Sequence, residues 1–161
     1  MNKRGHVLNA VLLGVGLGIL LEPTADERMI ATIVMIAVPV TLGAMVPDID
    51  TEFGRHRKTL HNLPVLVGFV AFPYFFGNLE YVWIGVLTHY VLDVAGSRRG
   101  IALFYPLSSS EYGLPLGVPV SSSRAGIVTI AITTLELALA GLLIYSVPQW
   151  GLELGRQALG I

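Results

Sequence analysis

Apolar residues run along this chain in five blocks, and the polar residues collect between them. The blocks cover 7–21, 29–46, 63–76, 81–95 and 126–147. A helix crossing the hydrocarbon core of a bilayer needs about 20 residues, with a range of roughly 17–25. The second and fifth blocks reach that length alone. The first, third and fourth reach it only if polar residues at their edges join the helix. Spans are therefore expected near 5–21, 29–46, 61–76, 81–96 and 126–147. The prediction is an all-α polytopic membrane helix bundle with about five transmembrane helices, forming one integral-membrane domain over 1–161. The connections 22–28 and 77–80 are short turns, and 47–62 is polar and charged. The longest connection, 97–124, mixes apolar residues (101–105, Leu114, Val118, Val120) with serine runs at 108–110 and 121–123. It reads as an interfacial or re-entrant segment covering a site, because long ordered loops are usually functional.

Composition strengthens this picture. Hydrophobic residues make up 53% of the chain and charged residues only 13%, against roughly 25% charged in soluble domains. The mean hydropathy of +0.70 agrees. A net charge of −1 gives no sign of nucleic-acid binding. The absence of cysteine excludes disulfides, thiolate zinc sites, iron–sulfur clusters and cysteine nucleophiles.

Charge also suggests an orientation. With a cytoplasmic N-terminus and five crossings, Lys3, Arg4, Arg55, Arg57, Lys58, Arg98, Arg99 and Arg124 fall inside, and only Arg28 and Arg156 fall outside. Lys/Arg-rich loops stay cytoplasmic, so the expected location is the cell (inner) membrane. A competing reading makes 7–21 the apolar core of a secretory signal peptide, cleaved near Thr24-Ala25. That would remove His6 and leave four spans.

The same topology puts every histidine and three aspartates at or near the cytoplasmic face. These are His6, His56, His61, His89, Asp48, Asp50 and Asp93. Imidazole plus carboxylate is the ligand set of zinc, manganese and non-haem iron. His89 and Asp93 are four apart on a predicted helix, hence on one face. A lone Asp inside a span costs on the order of 2.5–3.5 kcal/mol, which a cation can offset; a simple His–Asp pair between helices is the alternative. Pro47 is expected to end the second span and force an extended backbone, from which Asp48 and Asp50 project the same way. His56 and His61 flank Arg57 and Lys58, partners for an anionic substrate; Arg98 and Arg99 either bind substrate anions too or anchor to lipid phosphates. The ligand core is taken as His89, Asp93, Asp48 and His61, with His6 a further ligand. Asp50 or His56 is the general base or an orienting partner. Glu136, an acid inside the fifth block, is a functional candidate by position or a protonated packing residue. Gly14 and Gly18 read as small residues packing one helix on another, and the serine runs lack a nucleophile elbow.

The order Gly5-His6, Pro47-Asp48-Ile49-Asp50, His56-Arg57 with His61, then His89 with Asp93, Gly96 and Pro106, resembles the YdjM-like family. The likeness covers roughly 5–117. The family's members are membrane-bound proteins described as metal-dependent hydrolases, some as LexA-binding and inner-membrane-associated. One departure is Leu60, where the family usually has Thr before the second His of the cluster; Thr59 stands one position earlier.

The resemblance implies a metal-dependent hydrolase. Together with the residues, the expectation is one or two divalent ions (zinc first, manganese second) and a phosphoester or lipid-linked substrate reached from the bilayer. Self-association into a homo-oligomer is left open. Two readings compete: a divalent-cation or proton transporter using the same cluster, and a structural membrane adaptor whose metal fastens helices.

Overall fold

In the computed structural model, residues 2–115, 117–119, 121–145 and 147–159 are described. Val120 therefore lies outside the described residues, as do Met1, Leu116, Ser146, Gly160 and Ile161. The architecture is all-helical. Helices α1 (Lys3–Leu21) and α2 (Glu27–Met45) form an antiparallel pair, followed by a 3-10 turn (Pro47–Ile49) and the one-turn α3 (Asp50–Phe53). After them come α4 (Leu63–Phe76), α5 (Val82–Ala95), α6 (Ala125–Ile144) and α7 (Val147–Leu159). The main packing partners are α1 with α2 and α6, and α5 with α2 and α4.

Local chemistry sets the ends. The Asn2 side chain accepts from the Gly5 N–H, Asp26 from Arg28 and Asn62 from Val65, each satisfying an orphan donor of a first turn. Gly77 closes α4 with a left-handed φ of 65°, a conformation glycine adopts without penalty. Small residues set how closely helices approach. A Cβ on Gly14 would lie 2.5 Å from the Ala37 Cα, and one on Gly18 would lie 2.6 Å from the Ile33 Cα. Gly43 and Gly85 bring α2 and α5 together in the same way: a Cβ on either would meet a carbonyl oxygen of the opposite helix at 2.0 Å.

Three segments are long and apolar enough to cross a membrane: α1, the run Glu27–Phe53, and α6. Two of the five expected crossings are shorter apolar helices, α4 and α5, of 14 residues each. His6 does join α1, but His61 stays outside α4 because Asn62 caps that helix. Ile30, Val34, Val38 and Leu42 recur every four residues along α2, and all are exposed. Such a continuous apolar stripe fits contact with lipid chains rather than water.

One local expectation needs correcting. Pro47 does not lead into extended chain; it opens a 3-10 turn that runs on into α3. Proline is favoured in a first helical turn, where its missing N–H would lack a partner in any case. The chain also continues past the fifth block as α7. Trp150, Glu153, Leu154 and Gln157 share one face of it, where Trp150 and Leu154 are exposed.

Candidate metal centre

Four parts of the chain meet at one end of the bundle: the first turn of α1, the turn after α2, the residues before α4 and the last turns of α5. They bring His6, Asp48, Asp50, His61, His89 and Asp93 together. His6, Asp50, His61, His89 and Asp93 are buried, whereas His56 joins from the edge with its side chain 41% exposed.

Asp50 fixes two imidazoles. Its Oδ2 accepts from His61 Nδ1 at 2.9 Å and from the Leu60 N–H at 3.3 Å, and its Oδ1 accepts from His56 Nδ1 at 2.9 Å. A carboxylate only accepts, so both rings carry their proton on Nδ1. His89 Nδ1 donates to the Ala44 carbonyl at 2.7 Å, and this fixes its tautomer in the same sense. Burial holds the His61 imidazole below its ordinary pKa, against the opposing pull of the Asp50 carboxylate. It is therefore neutral near pH 7.

The bare nitrogens converge. His61 Nε2 and His89 Nε2 face each other at 3.2 Å. Asp93 Oδ2 lies 3.6 Å from the first and 3.7 Å from the second, and Asp48 Oδ1 is 3.8 Å from His89 Nε2. Two lone pairs directed at one another with carboxylates beside them repel unless a cation stands among them. Ligands held roughly 2.0–2.1 Å from one ion lie about 3.3 Å apart around a tetrahedron, close to these separations. His6 adds a second indication. Its ring stacks on His89 with centroids 3.6 Å apart, and Nε2 is 3.5 Å from Asp93 Oδ1. Among the described residues neither of its buried ring nitrogens makes a hydrogen bond, although buried polar groups are normally satisfied. The donor atoms of His6, His89 and Asp93 lie within 4.8 Å of one another, as do those of Asp48, His56 and His61. These groups could hold a metal ion, and the donor set fits one.

A family profile described as YdjM inner membrane protein matches residues 1–154. The chain belongs to the YdjM family. No curated protein and no solved structure matches it. Membership establishes a membrane protein of an inner-membrane family, and the His/Asp cluster sits among the elements that the match spans.

The YdjM fold treats the four expected substrate-binding cations differently. Arg57 turns inward and is buried. Its guanidinium is 3.6 Å from Asp93 Oδ1, and it donates to Ser97 Oγ at 3.2 Å, to the Gly100 carbonyl at 3.3 Å and to the Arg99 carbonyl. Its backbone is left-handed at φ 66°, a strain of roughly 1–2 kcal/mol. The Ala102 N–H donating to the Arg57 carbonyl at 2.9 Å helps hold it there. Lys58 donates to the Ser109 carbonyl, and Arg99 forms a forked pair with Glu111, both bonds at 2.8 Å. Arg98 is exposed.

The 97–124 loop pairs with itself and reaches the segment before α4. Ile101 and Tyr112 exchange backbone hydrogen bonds, and the Leu63 N–H donates to the Leu103 carbonyl. Some supporting residues were not singled out from the sequence. The Tyr90 hydroxyl donates to the Leu60 carbonyl at 2.5 Å, and Asn62 Nδ2 donates to the Lys58 and Thr59 carbonyls, so the segment carrying His61 is pinned. Thr59 Oγ1 accepts from the Arg55 N–H, a turn-shaping role. Lys3 and Glu52 line a cavity of about 210 Å³ that also meets His6 and Asp48.

Proposed function

We propose that this chain is a membrane-embedded, metal-dependent hydrolase acting at the cytoplasmic face on a phosphoester, lipid-linked or carried by an anionic lipid. The opposed Nε2 atoms of His61 and His89 carry this reading, since each ring's proton is committed to a buried acceptor on its far side. His61, His89, Asp93 and Asp48 hold the ion, with His6 beside Asp93. Nitrogen and carboxylate donors suit zinc, with manganese second, and the adjoining donor groups have room for one or two ions. When bound, a divalent ion supplies Lewis acidity, activating water near neutral pH and polarising the scissile bond.

The chain's own residues do the rest. Asp50, fully buried and accepting from two imidazoles, orients rather than reacts. By holding His56 Nδ1–H it leaves the opposite nitrogen of that partly exposed ring basic, so His56 takes the proton of the attacking water. Lys3 at the cavity mouth and exposed Arg98 steady the anionic substrate, while Arg57 anchors the covering loop beside Asp93. Val7, Ala44, Met45 and Ile49 give the cavity an apolar wall, which suits a substrate arriving from the bilayer. Ligands gathered at one end of the bundle favour an enzyme over a carrier, which would spread them through the membrane. The excess of basic residues in the connections at that end supports a cytoplasmic site.

The test is elemental analysis of purified protein followed by phosphoester hydrolysis assays in lipid nanodiscs. Bound divalent metal and an activity that His89→Ala abolishes are expected. Metal-loaded protein that cleaves no phosphoester, or cleaves it equally well as His89→Ala, defeats the reading.

A further inference from the structure

Deeper in the bundle is a second polar cluster, which the proposed chemistry does not use. Asn9 of α1, Thr88 of α5, and Thr133 and Glu136 of α6 meet among apolar side chains, with Asn9, Thr88 and Thr133 buried. Asn9 Nδ2 contacts Glu136 Oε2 and Thr133 Oγ1, each at 2.8 Å. Thr88 Oγ1 lies 2.5 Å from Asn9 Oδ1 and 2.7 Å from Glu136 Oε1. The Thr133 hydroxyl donates to the Thr129 carbonyl at 2.8 Å.

Counting hydrogens decides the protonation state. Thr88 has one hydroxyl hydrogen and two oxygen neighbours within 2.7 Å. If it donates to Asn9 Oδ1, the contact with Glu136 Oε1 lacks a hydrogen unless Glu136 supplies it. Turning the Asn9 amide over does not help. The Asn9 nitrogen then donates to Thr88, Thr88 donates to Glu136 Oε1, and the Asn9 oxygen faces Glu136 Oε2 at 2.8 Å, again with no hydrogen unless the acid carries one. An adjoining cavity of about 330 Å³ between α1, α5 and α6 has Glu136 and Thr88 in an otherwise apolar wall, with no cation among the described residues that line it. An ionised acid there would lack a counter-charge.

We propose that Glu136 is a resident proton-binding site. The neutral acid donates to Thr88, Thr88 donates to Asn9, and the Asn9 amide donates back to Glu136. This closed ring fastens α6 to α1 and α5. Asn9 lies one turn from His6, and Thr88 immediately precedes His89, so the ring supports the wall on which the metal centre is built. The ring's hydrogen bonds do not depend on what the centre does.

Glutamine separates the protonation states cleanly. Its amide N–H reproduces the donor of a neutral acid, so Glu136→Gln keeps the ring, and Glu136→Ala empties it. The experiment is infrared spectroscopy of full-length protein in lipid at pH 7, with and without Glu136→Gln, alongside thermal unfolding of both variants. The expected results are a carboxylic-acid carbonyl band in the wild type that Glu136→Gln removes, a glutamine variant with wild-type Tm, and an alanine variant about 3 °C or more lower. A spectrum in which Glu136→Gln removes no acid band, or a glutamine variant as heat-labile as the alanine one, overturns the proposal.

Discussion

This protein buries two polar clusters a turn apart, and they solve the same problem in opposite ways. Around Glu136 every donor finds an acceptor once a single proton is counted, and the ring closes on itself. Around His89 the inventory does not close: two imidazole lone pairs confront each other, and among the described residues both nitrogens of His6 lack a hydrogen bond. A polar group in a low-dielectric interior is costly unless matched. The first cluster is matched from within, and the second calls for something from outside. Satisfaction, rather than polarity, separates a fastening from a site.

Metal removal should break the comparison most visibly. Chelation is expected to lower the Tm, because a ligand present at a thousand times its dissociation constant stabilises by about 4 kcal/mol. Acidification below about pH 6.5 should have the same effect as protons compete for the imidazoles. Scanning calorimetry with and without chelator checks both, and an unchanged Tm would count against a bound ion. Next in size is Asp50→Ala, which releases His56 and His61 from their shared carboxylate. Metal affinity should fall about 10- to 100-fold, as read by competition with a chromophoric chelator.

A paired experiment sharpens the contrast. Asn9→Val should destabilise by about 0.6–1.7 kcal/mol, the range for hydrogen bonds between membrane helices, with metal content preserved. His6→Ala should reduce metal affinity, and its cost to metal-free stability comes from the emptied ring volume and the lost stacking on His89. If the two variants exchanged phenotypes, the contrast between the clusters would collapse. Smallest of all is the outer pair, a control outside both clusters. The Arg99 side chain is 64% exposed, so Arg99→Ala should cost less than about 1 kcal/mol. Hydrogen bonding from Arg99 holds the Glu111 carboxyl below its usual range. That contribution is present above the unfolded value near pH 4.3 and is lost as pH falls further through the folded one, as denaturant titrations at pH 3 and 6 should show.

Much of this was legible in one dimension. Long apolar blocks and scarce charge mark a membrane bundle, and His and Asp are rare enough here that their positions at block ends stand out. Asn9, Thr88 and Thr133 were invisible for the converse reason: neutral polar residues inside apolar blocks carry no charge to draw notice, and their partners are 48 to 127 residues away. The inward turn of Arg57 was not legible, because only the fold supplies the carbonyls of Arg99 and Gly100 that receive its guanidinium. The helical turn after Pro47 was missed because proline reads as a helix terminator from one side and an initiator from the other.

The brevity of α4 and α5 reaches beyond the protein. Fourteen residues rise about 21 Å, against a hydrocarbon thickness of about 30 Å. A helix too short for its bilayer is accommodated by local thinning, at fractions of a kcal/mol per Å of hydrophobic mismatch. Crossing a bilayer would leave these two helices about 9 Å short, and the lipids beside them would have to thin toward the midplane to meet them.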